Sequence, residues 1–370
     1  MRRPPSGPSP GAPPPGGRGA AGNPGNRFER IELEADPEYR EHAAREALEA
    51  GEPEAALPPT ELFADPTRRI LATNQSPDVG FDTSLNPYRG CEHGCIYCYA
   101  RPTHEYLGFS AGLDFETRIL VKRDAPALLR RELERPGWKP QPIALSGVTD
   151  PYQPAERRLR ITRGCLAVLA EFRNPVLVVT KSRLVARDAD LLSELARFQA
   201  AAVFVSVTTL DPALQRALEP RAPAPRLRLE AIAALAAAGV PTGVMIGPVI
   251  PGLTDHEIPA ILEAAARSGA TSAGHIVLRL PFGVKELFEG WLERHFPERK
   301  AKVLGRIREV RGGRLNDPRF GSRMRGEGLY AEQIRALFDV ASRRAGLDAP
   351  RPRLSSAAFR RPGPAQAELF

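Results

Sequence analysis

Cysteine is scarce in this sequence, and long apolar runs are absent from it. Only four cysteines occur in 370 residues, three of them in one short segment. An odd trio of cysteines plus one remote cysteine is a poor framework for a disulfide-linked secreted protein. No apolar run approaches the roughly 20 residues that span a membrane. No apolar segment follows the N-terminal arginines, as a secretion signal would require. We therefore expect a cytoplasmic protein that does not associate with membranes.

The three clustered cysteines are the strongest functional signal in the chain. Cys91, Cys95 and Cys98 have a C-x3-C-x2-C spacing. Three such thiolates can ligate three irons of a cubane iron–sulfur cluster. The fourth iron is then open to a small molecule, and an open metal position indicates a reactive site. A structural zinc site with His93 as fourth ligand is the alternative, but zinc pairs are usually separated C-x2-C units. The spacing therefore predicts a [4Fe-4S] cluster, with His93 beside the cluster or exposed.

Positive charge is concentrated at the C-terminal end of the chain. Residues 294–370 contain 18 basic and 8 acidic residues, a net charge of +10, whereas residues 1–293 contain 34 basic and 36 acidic residues. A basic segment of this kind is typical of a surface that binds nucleic acid. A purely solubilising surface is the alternative. The candidate phosphate contacts are Arg306, Arg308, Arg311, Arg314, Arg319, Arg323 and Arg325.

Composition divides the chain into five regions. Residues 1–26 are rich in proline and glycine and are predicted to be a disordered tail. Residues 27–66 form an acidic N-terminal extension. Residues 67–293 alternate short β-branched runs with amphipathic segments, which predicts βα units around a parallel sheet. Residues 294–346 are predicted to be basic and mainly helical, and residues 347–370 to be a disordered tail.

The predicted elements give an α/β fold with six βα units. Nearly continuous apolar runs are typical of strands buried on both faces. The predicted strands are 83–85, 143–147, 176–180, 203–208, 243–247 and 275–280. The predicted helices are 124–135, 158–172, 188–198, 226–238, 255–268 and 283–294. Thr254 and Glu257 have the spacing of a capping box, and Gly269 is expected to end the same helix.

The cysteine triplet, with Tyr97 directly before the third cysteine, resembles the radical S-adenosylmethionine superfamily. The longer run 84–104 is similar to the bacterial branch grouped with spore photoproduct lyase, and the resemblance covers about residues 67–345. It implies a partial (β/α)6 barrel of the TIM type. It also implies that the open iron of the cluster binds S-adenosylmethionine. Reductive cleavage then yields a 5′-deoxyadenosyl radical that abstracts hydrogen from a substrate. A reducing partner such as flavodoxin or ferredoxin is implied as well.

The resemblance also implies a pocket for S-adenosylmethionine at the carboxyl ends of the strands, where parallel barrels gather their functional residues. Ser146, Thr149 and Asp150 follow the second strand and resemble the segment whose carboxylate receives the methionine ammonium. An ordinary Asp-Pro turn is the alternative. Lys181, after the third strand, is expected to pair with the methionine carboxylate. Tyr97 is expected to contribute to the same pocket.

Later strand ends supply the remaining candidates for that pocket. Ser206 and Thr208 on the fourth strand suit ribose hydroxyls, although β-propensity alone also explains threonine there. The bare backbone at Gly247 resembles the adenine-binding element of the family. Arg279 on the last strand is expected to face the substrate or the carboxylate of S-adenosylmethionine.

The chain departs from spore photoproduct lyases at the hydrogen donor. Those enzymes use a cysteine close to the segment that here is 146–150, but no cysteine lies between Cys98 and Cys165. Cys165 itself is predicted to be a small buried hydrophobe. Reversal of thymine dimers by that route would need Cys165, or a tyrosine such as Tyr99 or Tyr152, as a substitute. A nucleic acid base is the first candidate substrate, and a peptide or small metabolite is the alternative. A non-catalytic iron–sulfur protein that binds nucleic acid is the non-enzymatic alternative.

Overall fold

The computed structural model describes residues 17–23, 59–350 and 352–362. Within these residues the strands are β1 (Glu61–Ala64), β2 (Leu71–Thr73), β3 (Thr83–Leu85), β4 (Tyr88–Arg89), β5 (Arg118–Val121), β6 (Ile143–Leu145), β7 (Val176–Thr180), β8 (Ala201–Ser206), β9 (Thr242–Val249) and β10 (Ser272–Val277). The α-helices are α1 (Asp114–Thr117), α2 (Ala125–Glu134), α3 (Glu156–Leu159), α4 (Ile161–Phe172), α5 (Ala189–Ala196), α6 (Pro212–Leu218), α7 (Pro225–Ala237), α8 (Ile258–Arg267), α9 (Val284–His295), α10 (Pro297–Glu309), α11 (Ser322–Arg325) and α12 (Leu329–Ala345).

The main sheet has seven strands in the order β2-β3-β6-β7-β8-β9-β10. Strands β3 and β6 to β10 run parallel in chain order, and β2 is antiparallel to β3. All six predicted strands therefore form, and their carboxyl ends lie along one edge of the sheet. A second sheet, in the order β1-β5-β4, leads into the cysteine segment.

Apolar side chains explain why these segments form a buried sheet. All six residues of β8 are buried, as expected for a parallel strand covered on both faces. Helix α4 packs through one apolar face, which includes Leu166, Leu169 and Phe172. Cys165 lies on this face and is fully buried, so the prediction of a small buried hydrophobe is confirmed.

Several predicted boundaries are wrong. Strand β10 begins and ends three residues earlier than predicted, and because it ends at Val277, Arg279 lies beyond the strand. The left-handed Arg160, with φ 51°, divides the helix predicted at 158–172. The predicted capping box does not form, because the Thr254 hydroxyl accepts a hydrogen bond from Ile250 N at 2.9 Å. The Glu257 carboxylate accepts from Thr209 and Leu210 instead. Gly269, with φ 91°, does follow the end of α8 as predicted.

The basic C-terminal region packs onto the rest of the molecule. Helices α9 and α10 bury Trp291, Val303 and Ile307 in one apolar cluster with Cys95 and Ile96. Helix α12 contacts α8. None of the helices in the described part of the chain has both the length and the apolar character needed to cross a membrane.

Both predicted disordered tails contain residues with defined positions. Residues 17–23 lie against the cysteine segment, and Ala20 is fully buried. In residues 352–362, Phe359 lies 6.2 Å from Phe172 between ring centroids, and Arg360 N donates to Phe172 O at 2.9 Å. The prediction of disorder is wrong for these segments, because composition does not report specific long-range partners. The other residues of the predicted tails, and most of the predicted extension 27–66, lie outside the described residues.

Candidate functional site

The three clustered cysteines face one cavity at the carboxyl ends of the parallel strands. Glycines 90 and 94, with φ 80° and 66°, turn the backbone of the segment that carries them. The strand ends contribute Ser146 after β6, Lys181 after β7, Ser206 on β8 and Gly247 on β9. The other predicted residues that line this cavity are Tyr97, Thr149, Asp150 and Arg279. The parallel topology therefore brings together side chains from six separate segments of the chain.

Cys91 and Cys95 are buried, Cys98 is half-buried, and none of the three is in a disulfide. Burial raises the pKa of all three, and the nearby Asp150 and the other two thiols raise that of Cys91 further. Thiolates at this site therefore need a bound cation. Within the described residues, no three cysteine, histidine or carboxylate side chains converge as ligands of one metal ion. A cubane cluster does not need such convergence, because each thiolate binds a different iron.

His93 is buried and lines the cavity, so it is not an exposed residue. Its Nδ1 atom lies 3.4 Å from the Asp150 Oδ2 atom, and its side chain is only 2% exposed. Its Nε2 atom has no hydrogen-bond partner in the described part of the chain. Because an unsatisfied buried nitrogen is costly, this atom is a candidate contact for a bound molecule.

The Asp150 carboxylate is almost fully engaged by protein donors. It accepts hydrogen bonds from Tyr152 N at 2.8 Å, Thr180 Oγ1 at 2.6 Å and Lys181 N at 2.8 Å, in addition to the His93 contact. Burial alone would raise its pKa, but His93, the Lys181 N–H and the Thr180 hydroxyl lower the pKa to about 2. Asp150 is therefore anionic, and its main structural effect is to hold the end of β7.

A second buried carboxylate, Glu219, lies behind the cavity and was missed by sequence reasoning. It pairs with Arg228, accepts from the Tyr97 hydroxyl, and lies 3.8 Å from Lys181 Nζ. Burial alone would raise its pKa, but Arg228, Lys181 and Tyr97 lower the pKa to about 2. No motif marks Glu219, because its partners come from distant segments.

Thr208 has a different place from the one predicted. It does not line the cavity. Its hydroxyl is fully buried and lies 2.8 Å from Glu219 Oε1 and 3.2 Å from Gly247 O. Lys181 Nζ also donates to Gly247 O, at 3.0 Å. Thr208 therefore orders the wall of the cavity, while Lys181 remains at its surface.

The turn after β6 has an uncommon backbone. Ser146 has φ 134°, in a region that residues other than glycine rarely adopt, and Gly147 follows with φ 132°. The Thr149 hydroxyl donates to Tyr88 O at 2.9 Å, and the Tyr99 hydroxyl donates to Gly147 O at 2.6 Å. Strained backbone of this kind is often found at functional sites. The hydrogen bonds with Tyr88 and Tyr99 therefore hold this turn in its uncommon conformation beside the cysteine segment.

The basic C-terminal residues are less available than the sequence indicated. Arg311 is buried and donates to Leu278 O at 2.6 Å and Val277 O at 2.9 Å, so it is not a phosphate contact. Other predicted contacts are engaged in ion pairs with acidic residues: Arg306 with Glu309, Arg319 with Asp317 and Glu327, and Arg323 with Asp78. Arg308, Arg314 and Arg325 are exposed.

The molecule is an α/β protein in which three thiols share a cavity at the carboxyl edge of a mostly parallel sheet, which is where α/β enzymes bind their ligands. Residues 85–265 match the family model described as the radical SAM superfamily. An uncharacterised protein of Mycobacterium tuberculosis is 38% identical over 305 residues, which are 81% of this chain and 86% of that protein. An uncharacterised protein of Methanocaldococcus jannaschii is 30% identical over 173 residues, which are 47% of this chain and 62% of that protein. The chain belongs to the radical SAM superfamily.

The fold is also similar to that of a solved structure. A mutant of spore photoproduct lyase superposes with a TM-score of 0.51 at 16% identity, over 77% of this chain and 80% of that chain. As a member of the radical SAM superfamily, the protein is a radical SAM enzyme, and its cofactors are a [4Fe-4S] cluster and S-adenosylmethionine. Enzymes of this superfamily cleave S-adenosylmethionine reductively and need a reductant.

Proposed function

We propose that Cys91, Cys95 and Cys98 hold the [4Fe-4S] cluster and that S-adenosylmethionine occupies the cavity beside them. The observation that carries this proposal is that the three thiols share one cavity with the strand-end residues. The residues fit these cofactors, since the thiols supply three cluster ligands and the cavity wall supplies polar groups. We also propose that the open sheet is the partial (β/α)6 barrel implied by the sequence.

When bound, the reduced cluster supplies the electron that cleaves S-adenosylmethionine to methionine and a 5′-deoxyadenosyl radical. The residues of this chain bind and orient the cofactor. The Lys181 ammonium lies at the cavity surface, where it suits the methionine carboxylate. Asp150 acts by fixing the end of β7 rather than by receiving the methionine ammonium, because its acceptor positions are occupied. The reducing partner, flavodoxin or ferredoxin, stays a prediction.

The test of this function is cleavage of S-adenosylmethionine by anaerobically reconstituted, dithionite-reduced protein. We expect 5′-deoxyadenosine and methionine as products. The Asp150→Asn variant should keep its cluster but bind S-adenosylmethionine about tenfold more weakly, or about 1.4 kcal/mol. The physical reason is that the two carboxylate oxygens of Asp150 together contact Lys181, Thr180 and His93, whereas the asparagine amide has only one acceptor oxygen. Equilibrium binding measures the change.

Asp339→Asn is the matched control, because Asp339 is exposed on α12, away from the cavity. We expect its affinity for S-adenosylmethionine to equal that of the unmodified protein. If the Asp150→Asn variant bound S-adenosylmethionine as tightly as the unmodified protein, the end of β7 would not position this cofactor. Absence of 5′-deoxyadenosine from protein with a full cluster would contradict the proposed function itself.

We propose further that the substrate is a nucleic acid base, on the basis of the aromatic and arginine side chains beside the cavity. The ring of Tyr99 is half exposed, and the Arg279 guanidinium lies 5.4 Å from its centroid. Arg279 also contacts Met324, at 3.5 Å between Nη1 and Sδ. One residue before Met324, Arg323 lies 4.3 Å from the ring of the exposed Phe320. Planar bases stack on such aromatic rings and guanidinium groups.

Arg279 is the residue best placed to test this substrate class. Its Nε atom is buried and has no hydrogen-bond partner within the described residues. We expect micromolar binding of single-stranded oligonucleotides at ~50 mM salt, where such binding is strongest. Arg279→Ala should weaken that binding by about 1–3 kcal/mol, the range for loss of one stacking contact. Fluorescence anisotropy measures it, and Arg335→Ala on the exposed face of α12 is the control.

Transfer of deuterium from a labelled oligonucleotide into 5′-deoxyadenosine would identify the substrate class directly. Protein that cleaves S-adenosylmethionine but does not bind oligonucleotides at ~50 mM salt would exclude the nucleic acid proposal. A peptide or a small metabolite would then be the leading substrate.

A further inference from the structure

The segment Gly17 to Asn23 lies against the cysteine segment. Arg18 and Ala20 are buried, with 5% and 0% exposure. Ala20 packs in the same apolar cluster as Cys95, Ile96 and Tyr97. A short segment from the N-terminal part of the chain therefore covers residues that surround one of the cluster thiols.

A continuous series of hydrogen bonds connects this segment to the backbone of Cys95. Gly19 N and Ala20 N each donate to the Glu116 carboxylate at 2.9 Å. Glu116 forms an ion pair with Arg101, and both side chains are fully buried. Arg101 Nε donates to Cys95 O at 2.9 Å, and its Nη2 donates to Gly94 O at 3.2 Å. Because charged groups are involved at each step, these bonds are stronger than neutral ones.

The fit at Gly19 leaves no space for a side chain. A Cβ atom at this position would lie 1.9 Å from Gly94 O, which is a backbone atom that cannot move without moving the cysteine segment. The far end of the segment is held by Asn23, whose side chain donates to Asp114 Oδ1 at 2.9 Å and accepts from Asp114 N at 2.9 Å. Specific contacts therefore hold the segment both at Gly19 and at Asn23.

We propose that residues 17–23 form a strap that positions the cysteine segment and keeps water away from the Cys95 side of the cluster. This inference rests on the proposed role of the three cysteines as cluster ligands. Removing the strap would leave the buried Glu116 carboxylate without two donors and would expose the apolar residues around Cys95. Unsatisfied buried charge is costly, so the cysteine segment would loosen and release the cluster more readily.

The Gly19→Ala variant tests the strap in the full-length protein. In metal-free protein, hydrogen exchange of residues 90–101 should become about tenfold faster or more. In reconstituted protein, loss of the cluster to a chelator should accelerate by about tenfold, in the range found when groups supporting a metal ligand are changed. The midpoint potential of the cluster should rise, because water stabilises the extra negative charge of the reduced form.

Gly137→Ala is the matched control, because a Cβ atom there would have no heavy atom within 4 Å. Asn23→Ala is a second variant that removes two hydrogen bonds without adding volume, and it should change the same quantities by a smaller amount. The proposal would be overturned if the three variants Gly19→Ala, Asn23→Ala and Gly137→Ala had the same rate of hydrogen exchange, the same rate of cluster loss and the same midpoint potential. Hydrogen exchange is measured on metal-free protein, so it tests the strap even if the three cysteines do not hold a cluster. A wrong cluster assignment would show only in the measurements on reconstituted protein.

Discussion

Replacement of any one of Cys91, Cys95 and Cys98 by alanine is expected to abolish the cluster. The unmodified protein, reconstituted without oxygen, should contain close to four irons and four sulfides and absorb broadly near ~400 nm. Each variant should lose this absorbance and all cleavage of S-adenosylmethionine. The reason is that, in the proposed assignment, each thiolate would hold a different iron, so a variant without one thiol lacks one of the three cluster ligands.

Cys165→Ala is the control for these variants, because Cys165 is buried in the face of α4 away from the cavity. It should retain iron, sulfide and activity, with a modest loss of stability from the smaller side chain. Iron and sulfide analysis after anaerobic purification measures the cluster content of the three cysteine variants and of this control. Stoichiometric zinc without acid-labile sulfide in the unmodified protein would contradict the cluster assignment.

Replacement of Glu219 by glutamine is expected to destabilise the fold strongly. Glu219 is fully buried against Arg228, which also donates to Ser206 O at 3.1 Å on the end of β8. Removing one partner of a buried ion pair leaves an uncompensated charge and costs about 3–5 kcal/mol. The free energy of unfolding by urea at neutral pH measures this loss. The matched control is Glu230→Gln, which breaks the exposed pair with Arg226 and should cost about 1 kcal/mol or less.

The same residue should make stability depend on pH in acid. The folded-state pKa of Glu219, about 2, lies below the ordinary value of 4.5. Its carboxylate therefore stabilises the fold fully above pH 4.5, and that contribution is lost as the pH falls toward 2. Glu219→Gln should show a shallower loss of stability over this range than the unmodified protein. If Glu219→Gln were as stable as Glu230→Gln and its stability fell with pH as in the unmodified protein, the buried pair of Glu219 and Arg228 would make no net contribution to stability.

The polar residues of the cavity were predictable to the extent that they follow buried strands. The apolar runs of β6 to β9 mark those strands, and the topology of parallel sheets places their carboxyl ends on one edge. Ser146, Lys181, Ser206 and Gly247 lie at such strand ends, and the family resemblance indicated the ligand that they would contact. Helix α6 was missed because it has only seven residues. The capping box predicted at Thr254 and Glu257 was wrong. Their spacing fits the pattern, but the Thr254 hydroxyl accepts from Ile250 N and the Glu257 carboxylate accepts from Thr209.

The iron–sulfur cluster was indicated by residues that are close together in the chain, and the class of enzyme by the family resemblance that the same residues carry. Three cysteines within eight residues have a spacing that local chemistry explains, so no knowledge of the fold is needed to recognise them. Glu219 and the strap are different, because each acts through residues that are remote along the chain. Gly19 and Glu116 are 97 positions apart, and Tyr97 and Glu219 are 122 apart. Burial makes such contacts strong and selective, and no pattern in the linear sequence indicates which distant groups will be buried together.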